Sequence, residues 1–234
     1  MIFPLRDDVR PNAPVPWVTW GLLTANVVMF LYHHWNPALT YGWSLVPREI
    51  VTFSDLVGLY SNGSVVLGLY EGPDPVQLTL LSSMFMHGGW LHLGGNLLYL
   101  WIFGDNVEER MGASRFLLFY LGCGVMASLC QIILAPLSII PILGASGAIA
   151  GVLGAYLILF PGNRVQTLVF IVVVPVPAVL VLGWWGVMQV VGGFGTLGSA
   201  GENGGVAYAA HVGGFAAGLW WGRRYRPLFR RSPS

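Results

Sequence analysis

The chain has 234 residues, of which 55% are hydrophobic and only 9% charged, against roughly 25% charged in an ordinary soluble protein. A soluble fold of this size could not cover its surface with so few charges, so the composition excludes a secreted or cytosolic enzyme. It indicates a polytopic membrane protein, and the formal net charge of +1 conceals a very uneven distribution.

In chain order, residues 1–16, "MIFPLRDDVRPNAPVP", are polar and carry Asp7 and Asp8 before the apolar run begins. That is neither a secretory signal nor an acid-poor transit peptide, and it reads as a short cytoplasmic segment. A membrane span needs about 20 apolar residues. Six are expected, at about 17–33, 91–107, 115–135, 145–160, 177–193 and 207–222, giving one membrane domain over 17–222. The fold class predicted is all-α, a polytopic bundle of six transmembrane helices.

The first loop, 34–90, is long and contains "EGPDP" (71–75), which predicts irregular structure with short interfacial helices. The run "TLVFIVVV" (167–174) precedes Pro175 and Pro177. Pro177 is expected in the first turn of the fifth helix, where its missing N–H costs little, and the run before it is expected to lie at the interface. The stretch "GGFGTLGSAGENGG" (192–205) holds a formal G-x-G-x-x-G at Gly193, Gly195 and Gly198. With no preceding strand in a βαβ unit the match has no phosphate-binding meaning, and the segment reads as a connector. The basic tail 223–234 reads as a cytoplasmic lipid-headgroup anchor rather than a nucleic-acid patch.

Six spans place the tails and the second and fourth loops on one side. That side holds ten of the eleven arginines, with Arg48 alone opposite. Both termini are therefore expected in the cytoplasm. Cys123 and Cys130, seven apart on one predicted helix, are separated by about 10 Å of rise and cannot form a disulfide.

Polar side chains inside spans are costly and face the bundle interior. The candidates are His92 and Asn96 in the second span, Ser146 in the fourth and His211 in the sixth. His92 and Asn96 are four apart and share a helical face. Measured from Asp105, Pro161 and Arg223, residues His92, Ser146 and His211 lie about 20, 22 and 18 Å above the cytoplasmic boundary. In a hydrocarbon core about 30 Å thick, three helices thus present polar groups at one depth. Gly147 and Gly151 in the fourth span, and Gly214 and Gly218 in the sixth, have small-xxx-small spacing, which lets helix backbones approach closely. Contact between these faces would bring hydroxyl and imidazole together.

A serine beside a neutral imidazole is the minimal activated nucleophile, the ring nitrogen taking the hydroxyl proton as the oxygen attacks a carbonyl. No carboxylate lies at this depth, so a dyad is expected. Donors for the developing oxyanion are Asn96, His92 and the Ser146 backbone N–H. "GASGA" lacks the final glycine and the strand–turn–helix setting of a soluble nucleophile elbow.

"HGGWLHLGGN" (87–96), "GASG" (144–147), with Gly144 opening the motif, and "AHVGGFAAG" (210–218) resemble the signature segments of the rhomboid intramembrane serine proteases. "VEERMG" (107–112) is similar to a fourth family pattern. The resemblance covers roughly 17–222. It implies a Ser146–His211 dyad in a water-filled cavity open to the outer face, with His92 and Asn96 stabilising the oxyanion. It also implies transmembrane protein substrates with a single span, cut in or near that span. Two departures stand out: Trp43 and Arg48 are apart rather than paired in the first loop, and Ala150 stands where some members carry a tyrosine that stacks on the catalytic histidine.

Other polar residues have structural readings. His87 would tie down the first loop, Asn26 would make an interhelical hydrogen bond, and His33 and His34 would be solvated at the outer interface. Glu108 and Arg110 would pair. His87 and His92 lack a third ligand at useful spacing, so no metal or cofactor is expected. A bacterial inner membrane is the expected location. The rival reading is a catalytically inactive rhomboid-like protein that binds membrane clients. A small transporter would show paired broken helices with ion-coupling carboxylates, whereas the one carboxylate within the spans, Asp105, stands at the cytoplasmic boundary.

Overall fold

The computed structural model describes residues 2–8, 14–61, 66–196 and 207–226. The elements in chain order are β1 (Ile2–Asp7), α1 (Trp17–His33), α2 (Pro37–Gly42), α3 (Pro47–Thr52), β2 (Gly58–Ser61) and β3 (Val66–Leu69). Then come α4 (Thr79–Ser82), α5 (Trp90–Met111), α6 (Ala113–Leu134), α7 (Ser146–Leu159), β4 (Arg164–Val169), β5 (Val172–Pro177), α8 (Ala178–Thr196) and α9 (Tyr208–Gly222). The chain is mostly helical, and six long helices fall where the apolar runs predicted them. By length and composition, one helix among the described residues, Ala113–Leu134, is long and apolar enough to cross a membrane; Ser146–Leu159 and Ala178–Phe194 are shorter apolar helices.

The all-α expectation needs correction, because two small antiparallel sheets are present, β2–β3 in the first loop and β1–β4–β5. The run expected as an interfacial segment is the β4–β5 hairpin, turning at Phe170 with φ 55°. Its β-branched residues favour the pleated backbone. Pro177 closes β5 rather than opening the next helix. It is accommodated because β5 is an edge strand, where the missing N–H breaks no ladder. Part of the segment expected to be merely polar, residues 2–7, forms the opposite edge, paired with β4.

Asp7 anchors that edge. Its Oδ2 accepts hydrogen bonds from Tyr156 Oη of α7 and Asn106 Nδ2 of α5, both at 2.7 Å, while Asp8 accepts from the Arg164 N–H. Burial raises the Asp7 pKa to about 7, with Asp105 and Asp8 adding repulsion against the Tyr156 bond.

Glu108 and Arg110, expected to pair, each make a further contact. Glu108 accepts from Val18 N, Thr19 N and Thr19 Oγ1, satisfying the open donors of the first turn of α1, whose preceding Pro16 supplies no side-chain cap. The Arg110 guanidinium lies 5.0 Å from the centre of the Phe160 ring. Asn26 Nδ2 donates to the Leu22 carbonyl in its own helix, and its side chain also meets Tyr120 of α6, the interhelical contact expected. His33 is fully buried rather than solvated: its Nε2 accepts from the His87 N–H and its Nδ1 meets Thr40 Oγ1. His87 therefore fastens the first loop to the end of α1.

Phe103, Phe116, Phe119, Tyr120, Leu153 and Tyr156 fill the centre with no exposure. Beside them α7 and α9 touch backbone to backbone. A Cβ on Gly218 would strike the Gly151 carbonyl, and one on Gly214 the Gly147 carbonyl. This is the close approach that the small-residue spacing predicted. Cys123 and Cys130 are free thiols.

Candidate active site

Ser146 is the first residue of α7, and the segment before it is tightly held. Leu45 and Ile142 exchange backbone hydrogen bonds, and the Gly144 N–H donates to the Ser83 carbonyl at 2.8 Å. Gly144 has φ 118°, a conformation that L side chains rarely adopt. A Cβ there would also lie 2.7 Å from His92 Nε2 and 3.5 Å from Asn96 Nδ2. Glycine is therefore required twice over, and the same geometry shows both side chains gathered against the GASG segment.

His211 lies in the first turn of α9, near the point where Ala210 N donates to Gln131 Oε1 of α6. Its Nε2 is 2.7 Å from Ser146 Oγ. Hydroxyl and imidazole from separate helices thus meet, and they do so in the wall of a cavity of about 1730 Å³ also lined by His92, Gly144, Gln131 and Gln189. His92 opens onto this space, whereas Asn96 is buried. Asn96 Nδ2 has no hydrogen-bond partner among the described residues. An orphaned buried amide is expensive, and here it is a donor awaiting an acceptor. The Ser146 backbone N–H, at the head of α7, has no acceptor within its own helix. His87 lies behind His92 with ring centroids 5.2 Å apart; burial lowers its pKa to about 3, with His92 contributing, so it is neutral.

The helix-packing glycines Gly147, Gly151, Gly214 and Gly218 are where the sequence placed them, between α7 and α9. The reading missed Gln189 and Trp185 of α8. Gln189 Oε1 lies 2.8 Å from His211 Nδ1, and the Trp185 ring lies 5.9 Å from the imidazole at 35°. A signal was available: Gln189 is an amide in an apolar run, "GWWGVMQVV", as costly there as Asn96. Of the stretch 192–205 expected as a connector, residues 192–196 instead continue α8 to its end; 197–205, and residues 227–234 of the tail 223–234, lie outside the described residues.

The family model for the rhomboid domain matches residues 76–227, well over half of the sequence, and the chain belongs to the rhomboid family. It is 37% identical over 150 residues to Rhomboid protein 1, mitochondrial, of Saccharomyces cerevisiae, covering 62% of this chain and 41% of that protein. It is 34% identical over 149 residues to Rhomboid protease GluP of Bacillus subtilis, covering 64% and 26%. It is 30% identical over 177 residues to RHOMBOID-like protein 5 of Arabidopsis thaliana, covering 66% and 55%. The chain thus spans between a quarter and just over half of the length of these relatives.

Proposed function

We propose that the protein is an intramembrane serine endopeptidase that cleaves single-span membrane proteins in or near their transmembrane segment. The observation that carries this reading is the 2.7 Å approach of Ser146 Oγ to His211 Nε2 in the wall of the cavity. Ser146 Oγ attacks the peptide carbonyl carbon as its proton passes to His211 Nε2. The oxyanion of the tetrahedral intermediate is received by Asn96 Nδ2, His92 and the Ser146 N–H. The C–N bond then breaks, His211 protonates the departing amine, and an acyl-enzyme remains. Water attacks that ester, gives its proton to His211, and Ser146 is regenerated. These steps draw on no metal or cofactor.

The long helices α1, α5, α6, α7, α8 and α9 serve in this reading as the six spans of a membrane domain over 17–222. In this reading both termini, residues 1–16 and 223–234, are cytoplasmic, which the arginine distribution supports, and the membrane is a bacterial inner membrane. The large cavity supports access of water to a site within the lipid bilayer. A substrate helix has to unwind locally to offer its carbonyl, since helical carbonyls are engaged by their own hydrogen bonds. Small or helix-breaking residues are therefore expected near the cut.

A fluorophosphonate probe tests this reading. Labelling of the wild type, lost in Ser146→Ala, is the expected result. A well-folded wild type that takes no label would favour the binding of membrane clients without cleavage.

A further inference from the structure

The hydrogen bonds around His211 run in one direction, from the Ser146 hydroxyl through the imidazole and the Gln189 amide to a carbonyl on α8. The Gln189 side chain is a single amide with a donor end and an acceptor end. Its Nε2 donates to the Trp185 carbonyl at 3.3 Å, so the end that faces the imidazole, 2.8 Å from Nδ1, is the carbonyl oxygen. A carbonyl oxygen only accepts, which obliges Nδ1 to carry the ring hydrogen. Nε2 is then the bare nitrogen, and it is the atom 2.7 Å from Ser146 Oγ. The opposite tautomer would set a nitrogen lone pair against the amide oxygen and leave Nε2 unable to take a proton.

We propose that Gln189 is a positioning residue: through Nδ1 it holds His211 in the one tautomer able to act as base toward Ser146, completing a Ser146–His211–Gln189 triad drawn from α7, α9 and α8. This inference rests on the reading of Ser146 as nucleophile and His211 as base. Trp185, one turn before Gln189, closes the arrangement by lying along the ring at 35°. The support absent at Ala150 on α7 is thus supplied by two residues of α8. An amide in the third position is chemically sufficient, since papain-like proteases place an asparagine there. It orients the imidazole without adding a charge that would have to be buried in the membrane. His92 is the other titratable side chain acting on His211, and it is unchanged across the substitutions below.

The test uses the full chain in proteoliposomes with a single-span substrate, comparing wild type, Gln189→Leu and Gln189→Glu. Each is also read by ¹⁵N NMR of labelled histidine, with the His211 signal assigned by its loss in His211→Ala. Gln189→Leu is expected to lower kcat by about 10–100-fold with KM within twofold, and to release His211 from the Nδ1–H tautomer. Gln189→Glu is expected to restore most of kcat. It should also move the acid limb of the kcat/KM profile to higher pH, because a carboxylate at Nδ1 favours the imidazolium. A Gln189→Leu protein with wild-type kcat and an undisturbed Nδ1–H signal would overturn the proposal. If Gln189→Leu fails to fold, Gln189→Glu decides: a merely structural glutamine predicts an acid limb that stays in place. Absence of both cleavage and fluorophosphonate labelling in the wild type would instead remove the underlying protease reading, while the tautomer signal would still report on Gln189.

Discussion

At the scale of single residues, the site is a set of donors and acceptors of which one member is left over. Asn96 Nδ2 is buried without a partner among the described residues, and a protein accepts that cost where a partner arrives during function. Asn96→Ala should lower kcat by about 10²–10³-fold, the usual loss for one oxyanion donor. Fluorophosphonate labelling should slow in parallel, because the probe's phosphoryl oxygen uses the same donors. Equal kcat in the two proteins would remove Asn96 from the oxyanion site. The residues of this site were legible in the sequence because a histidine, an asparagine and a serine stand out in apolar runs. Gln189 stands out by the same criterion, but its meaning depends on the rotation of α8 against α9, which no spacing within a single helix encodes. Trp185 was hidden more deeply, since an aromatic side chain in an apolar helix reads as filler. The absence of a ring at Ala150 was visible, but its replacement from another helix was not.

At the scale of elements, glycine spacing carried the α7–α9 contact correctly, because small residues four apart admit only one kind of neighbour. Gly218→Ala would drive a methyl group into the Gly151 carbonyl. It should destabilise the fold by at least about 1–3 kcal/mol, read as a lower thermal midpoint in detergent together with loss of probe labelling. The sheets were not legible. A β-branched run next to apolar spans resembles another membrane segment, and the pairing of β4 with β1 joins residues about 160 positions apart.

The buried Asp7 gives that sheet a pH dependence. Its folded pKa is raised to about 7, first by burial, so folding binds the proton more tightly than the unfolded chain does. The resulting stabilisation is complete below the ordinary carboxylate range and declines as pH rises through about 7. Backbone amides of β1 should therefore exchange more slowly at pH 5 than at pH 8, after correction for intrinsic rates. Asp7→Asn should flatten the difference. Undiminished pH dependence in that variant would assign the effect to another group.

At the scale of the whole molecule, the first turns of α5, α7 and α9 converge on one cavity. His92, Ser146 and His211 lie within those turns. Helix N-termini favour developing negative charge, so the architecture suits an oxyanion before any side chain is counted. With six spans and both termini expected in the cytoplasm, these three helices would run from outside to inside. Reporter fusions at either end of the chain should then report a cytoplasmic location; a periplasmic C-terminus would contradict the six-span arrangement.

The central claim is that Ser146 and His211 together break peptide bonds within the membrane. Cleavage of a single-span substrate in proteoliposomes by wild type, Ser146→Ala and His211→Ala tests it most directly. The account requires a discrete product from the wild type, and in either variant a loss of activity to background. Product formed at an undiminished rate by both variants would contradict it.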